Sequence, residues 1–177
     1  MNPHRLLPIA VVVLAGCALA PDSATKSPPR TTVVFDHPEK FTDVKDTYIP
    51  TDEGRDTILR HFREFLVSRC DPLLPEGYKL TITFTDIKLA GEYEPWHGAQ
   101  WIDVRVIKAI YPPAFTFTYT VTDPTGRPVK QGSENILDVA FQMRLLTPYD
   151  ASYDPLAYEK DILNDWARTT LRGLAKA

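Results

Sequence analysis

The chain predicts an α+β fold, a two-layer sandwich in which a small, mostly antiparallel sheet carries two amphipathic helices packed on one face. Three observations predict it. Residues 78–84 and 115–122 alternate apolar and polar side chains with period two, the pattern of strands with one face buried and one in water. Residues 51–69 and 154–173 repeat apolar side chains at helical spacing. Between 115–122 and 127–135, Asp123-Pro124-Thr125-Gly126 has turn chemistry at every position and predicts a hairpin.

From the start of the chain, residues 1–16 read as an export signal: a basic end at Arg5, an apolar run from Leu6 to Leu14, then the small Ala15 and Gly16. The apolar stretch is shorter than the roughly twenty residues a membrane-spanning helix needs. Ala18-Leu19-Ala20 matches a cleavage site, but Pro21 would follow the cut and hinder an extended substrate. Leu14-Ala15-Gly16-Cys17 resembles the lipobox of bacterial lipoproteins, which implies cleavage before Cys17 and acylation of that residue. Single chains hold a protein only marginally at about 0.8 kcal/mol per methylene, so stable anchoring needs several. Residues 17–31, rich in proline and small polar side chains, read as a tether, and residues 32–174 as one globular domain. If Cys17 is acylated, Cys70 is left a lone thiol, read as a small buried hydrophobe at a helix end.

Thr31 to Phe35 is β-branched and aromatic and reads as a first strand. Thr51 with Asp52 and Glu53 starts a helix, whose expected buried face is Ile58, Phe62, Phe65 and Leu66, opposite a charged stripe of Asp56, Arg60 and Glu64. Tyr78, Leu80, Ile82 and Phe84 form the buried side of one strand, and Phe115, Phe117, Tyr119 and Val121 that of another, leaving an all-threonine face. Residues 102–110 fit a strand if Ile102, Val104 and Val106 alternate, or a helix if Ile102, Val106 and Ile110 stack; the reading leans to a short helix ended by Pro112-Pro113. Asp154-Pro155 opens the last helix, with Ile162, Leu163, Trp166, Ala167 and Leu171 on one side and Gly173 near its end.

A net charge of −3 and 44% hydrophobic residues exclude a disordered tail or a strongly basic nucleic-acid binder. Sixteen prolines against eight glycines predict long, stiff connections. His37, His61 and His97 lack metal-ligand spacing, and no nucleophile elbow, zinc-protease motif, P-loop or dinucleotide fingerprint is present, so no metal or other cofactor is expected.

The richest cluster is residues 91–103, with Glu92, Glu94, His97, Asp103, Trp96 and Trp101. Paired carboxylates beside aromatic faces are the equipment of a glycan hydrolase. The plainer expectation is that both tryptophans pin the loop to the body while the acids stay solvated. Asp103 and Arg105 read as a local ion pair.

The segments TDIKLAG (85–91), DVRVIKAIYPPAF (103–115), DVAFQM (138–143) and LAYEKDILNDW (156–166), in this order, resemble the bacterial family catalogued as domain of unknown function 3016. Ala109 stands where the resemblance leads one to expect an acid, so no role for that charge carries over. The resemblance implies an exported protein and no particular active site.

The combined expectation is a lipid-anchored envelope protein, non-enzymatic rather than an enzyme, attached through Cys17 to the periplasmic side of the outer membrane, with a soluble periplasmic form as the alternative. Its expected partners are the membrane, through the lipid, and another envelope protein, met by Trp96, His97, Trp101 and Arg105 or by the threonine face; nucleic acid is not expected. The rival readings are an envelope glycan hydrolase using Glu92, Glu94 or Asp103, and a structural stabiliser with no specific partner.

Overall fold

The computed structural model describes residues 28–144, 146 and 154–174. The signal, Cys17 and nearly all of the tether lie outside the described residues. The described residues form an α+β fold with six strands and two α-helices. In chain order these are β1 (Thr31–Phe35), α1 (Asp52–Cys70), β2 (Lys79–Lys88), β3 (Glu92–Tyr93), β4 (Arg105–Val106), β5 (Ala114–Thr122), β6 (Pro128–Leu137) and α2 (Ala157–Leu171).

The four-stranded sheet has the order β1-β2-β5-β6, with β1 parallel to β2 and the other pairs antiparallel. Register puts Val33, Ile82 and Tyr119 in one row and Phe35, Phe84 and Phe117 in the next, so the period-two side chains meet on one face. Both helices cover that face. Phe62 and Leu66 of α1 and Leu163 of α2 are fully buried with Leu80, Ile82, Phe84, Phe117 and Val121. The Trp166 ring stands edge-on to Phe117 at 4.9 Å and to Tyr119 at 5.4 Å, while its N–H donates to Glu134 at 3.2 Å. The indole therefore buries its apolar body with its one donor satisfied.

The expected hairpin is present. Asp123 Oδ1 accepts from the Thr125 and Arg127 backbone N–H groups, and Gly126 takes φ 86°, the left-handed conformation suited to glycine. Thr51 caps α1 by accepting from the Gly54 N–H at 3.0 Å. Its buried stripe is Leu59, Phe62, Leu66 and Cys70, with Ile58 and Phe65 only partly buried. The expected face is thus rotated by one residue, because α1 packs on the sheet beneath it and on α2 beside it, where Phe65 meets Lys160. The last helix begins at Ala157 and not at Asp154-Pro155. Asp154 instead makes a turn before it, accepting from the Leu156 N–H and pairing with Lys160 at 2.7 Å.

Residues 102–110 are a correction. Neither a short helix nor a strand over Ile102–Val106 forms there: the segment passes through turns and contributes only the two-residue β4, paired with β3. A helix would have buried Ile102, Val106 and Ile110 together, yet Ile110 is 72% exposed and no surface is offered to such a stripe. The tether boundary also moves, since Thr31 is buried and Arg30 is tied to the body: its guanidinium donates to the Asp71, Leu74 and Pro75 carbonyls just beyond α1.

Strand direction divides the connections between the two ends of the sheet. Arg30, residues 71–78 and the 123–127 turn gather at the end where β1, β2 and β6 start, with Gly77 hard against Pro124. Residues 36–51, 89–113 and 138–144 gather at the other. Ten residues of β2 at about 3.3 Å each separate the ends by about 33 Å.

Candidate functional site

The sheet end carrying residues 36–51 and 89–113 departs from the usual arrangement: beside the buried Val44, Leu89 and Tyr93 it holds buried charges at Asp43 and Glu94, and it leaves several large apolar side chains outside. It begins at a bulge between Phe84 and Asp86, after which residues 42–44 run beside β2. The Asp43 N–H donates to the Ile87 carbonyl and the Leu89 N–H to the Asp43 carbonyl, at 3.0 and 3.1 Å. These bonds deliver the Asp43 carboxylate, 3% exposed, to the β3–β4 ribbon.

Arg105 answers it from β4. Its guanidinium donates to both Asp43 oxygens at 2.8 and 3.2 Å and to the Gly91 and Lys45 carbonyls, and lies 4.6 Å from the Tyr93 ring centre. Burial works against the Arg105 charge, but the Asp43 pair outweighs it and raises the pKa. Gly91 permits this packing: at φ 79° a Cβ would lie 2.7 Å from the Val106 carbonyl oxygen.

Glu94 is the second buried acid, 2% exposed. Lys108 Nζ donates to both its oxygens at 2.8 and 2.7 Å, the Tyr111 hydroxyl donates at 2.9 Å, and His97 Nε2 lies 2.8 Å away. The Lys108 hydrogen bond chiefly, with those from Tyr111 and His97, holds the Glu94 carboxyl below its ordinary pKa despite burial. Glu92 turns elsewhere, to Lys45 at 3.2 Å; burial opposes its ionisation, but the Tyr93 N–H and Lys45 still lower its pKa. Asp103 accepts from the Tyr48 N–H at 3.2 Å and forms no pair with Arg105. The three candidate carboxylates therefore have separate partners, and of these Glu94 lines a cleft beside Trp101.

That cleft, of about 340 Å³, lies between Glu94, His97, Trp101, Val106 and Lys108. Around it the tryptophans do not pin the loop down. Trp96 is 68% exposed and Trp101 49%, which overturns the packing expectation; the ribbon is held by Asp43–Arg105 and Glu94–Lys108, leaving the indoles free. Ile49 and Ile110, in loops at the same end of the sheet, also project into solvent. Of the candidate partner residues, Trp96, His97 and Trp101 are presented outward, whereas Arg105 is spent internally.

Asp43, Lys45, Lys108 and Tyr111 belong to this site and went unread in the sequence, because each meets its partner across a loop or another strand. Glu159 was readable. It precedes Ile162, Leu163 and Trp166 at helical spacing on the apolar stripe of α2, and it is 1% exposed. Its Oε1 accepts from the Ala90 N–H at 2.6 Å, clamping α2 to the root of the ribbon, while Oε2 has no partner among the described residues. Burial pushes its pKa up to about 7.

Cys70 is buried and its thiol is pushed up to about 12 by that burial, so no nucleophilic thiolate forms at neutral pH. Among the described residues no three His, Cys, Asp or Glu side chains gather in a metal-binding arrangement, and no helix is long and apolar enough to cross a membrane. The family model described as protein of unknown function (DUF3016) matches residues 29–169. No curated protein and no solved structure matches the chain.

Proposed function

The chain belongs to this family, whose description carries no activity, and from the ribbon end of its fold we propose a non-enzymatic binding module of the bacterial cell envelope. The observation that carries the reading is the outward presentation of Trp96, Trp101, Ile49 and Ile110 on a frame stiffened by the buried Asp43–Arg105 pair and the half-buried Glu94–Lys108 pair. Exposed apolar patches on soluble domains mark interaction surfaces, and rigid aromatic anchors lose little entropy on binding. Against catalysis stands the state of the acids: the Tyr93 N–H and Lys45 lower the pKa of Glu92 and Lys108 chiefly lowers that of Glu94, so neither is poised as a proton donor.

The lipobox-like Leu14-Ala15-Gly16-Cys17 supports attachment through acylated Cys17 on the periplasmic side of the outer membrane. Residues 17–29 span at most about 45 Å. Arg30 enters the domain at the end opposite Trp96, so attachment there leaves the binding end free to reach components of the periplasm.

Photo-crosslinking residues placed singly at 96, 110 and 118 of the chain in its own cells test this. Adducts at 96 and 110, absent at 118 on the threonine face and depleted in Cys17→Ser, are expected. Adducts confined to 118, or none at any position, overturn the reading.

A further inference from the structure

We propose that the cleft beside Trp101 binds a neutral sugar ring, so that the component met by this end of the domain is a glycan. The proposal deepens the binding reading above and rests on it. The half-exposed Trp101 indole forms one wall of the cleft, and Trp96 stands next to His97 with ring centres 6.0 Å apart. A sugar ring offers an apolar C–H face whose weakly positive hydrogens suit the negative face of an indole. Its hydroxyls need hydrogen-bond partners around the rim, and the cleft has them. Lys108 spends two N–H groups on Glu94 and keeps a third; the half-exposed His97 engages Glu94 through Nε2, leaving Nδ1 outside that bond.

Charge selects against other ligands. Glu94 and Lys108 cancel, so an anion or cation entering the cleft would lose hydration without meeting a net opposite charge. An apolar protein side chain filling the same space would strip water from Lys108 and His97 and return no hydrogen bond, whereas hydroxyls replace that water. The cleft volume of 340 Å³ lies at the small end of the roughly 300–1,000 Å³ of ligand pockets, which suits one or two rings. The ring is bound and not cleaved. Glycoside hydrolysis most often uses two carboxyl groups flanking the bond and always needs a proton donor for the leaving oxygen, and Glu94, the only carboxylate lining the cleft, is held ionised.

The test titrates the full chain with a tetramer of N-acetylglucosamine, a neutral oligosaccharide with apolar ring faces, and separately with inorganic phosphate, by calorimetry and tryptophan fluorescence. Saturable tetramer binding on the order of 0.1–1 mM is expected, weakened about tenfold by Trp101→Ala and retained by Trp101→Phe. Phosphate is expected not to bind. Near-ultraviolet circular dichroism from the buried Trp166 reports whether each variant is folded. Absence of saturation by about 10 mM tetramer, binding indifferent to Trp101→Ala, or binding of phosphate in its place overturns the sugar assignment. Crosslinks from positions 96 and 110 to a protein would then preserve the broader binding reading, and their absence would end both.

Discussion

The helix-covered body and the ribbon end are stabilised by opposite means. In the body, Phe62, Phe84, Phe117 and Leu163 are fully buried and the polar threonines face water. In the ribbon end, Asp43 and Glu94 are buried and Trp96, Ile49 and Ile110 face water. Apolar burial is non-directional, so the body could exchange one hydrophobe for another of like volume. Buried ion pairs are directional and fail when one partner is lost. A region that leaves its tryptophans and two isoleucines outside and takes its rigidity from internal charge is organised to present a surface.

The largest effect belongs to the body. Phe117→Ala removes the ring packed against Phe84 and Trp166, and is expected to cost about 3–5 kcal/mol in urea unfolding, lowering every probe together. Asp43→Ala strands Arg105 in a largely buried site and is expected to cost about 3 kcal/mol. Its signature differs: amides of residues 89–108 should exchange faster before the body opens, and uniform exchange would show that the two regions are one cooperative unit.

Glu159 joins the regions and adds a pH dependence. Its folded pKa of about 7 lies above the ordinary 4.5, so the folded protein binds the proton more tightly than the unfolded chain. Stability from this group is fully present below about pH 4.5, falls as pH rises, and levels off above about pH 7. Glu159→Gln keeps an acceptor for the Ala90 N–H and removes the ionisation. The variant should match the parent near pH 4.5 and exceed it by on the order of 3 kcal/mol at pH 8, read from urea midpoints at both. The smallest effects are on exposed side chains: Thr118→Ala and Trp96→Ala should each change stability by less than about 0.5 kcal/mol, although only the second removes contacts from the presented surface. A large loss in Trp96→Ala would return that indole to a packing role.

Much of the body was legible. Tyr78 to Phe84 and Phe115 to Val121 carry their alternation within a few residues, and Asp123 to Gly126 carries a turn in four. The α1 face was misplaced by one residue because two surfaces, the sheet and α2, compete for it. In the candidate site, Glu94 and His97 were visible as a cluster, being close in sequence. Lys108 was not, since nothing in IDVRVIKAI (102–110) says which charge a loop will fold back upon.

The amino-acid order alone determined the α+β class, the hairpin and the apolar faces of β2, β5 and α2, because those properties follow from backbone periodicity and near-neighbour chemistry. Only the tertiary structure decided that Asp43 meets Arg105, that Glu159 clamps the Ala90 N–H, and that Trp96 and Trp101 are left outside. Those outcomes depend on which distant segments the sheet brings to one end, and a charge finds its partner through that placement.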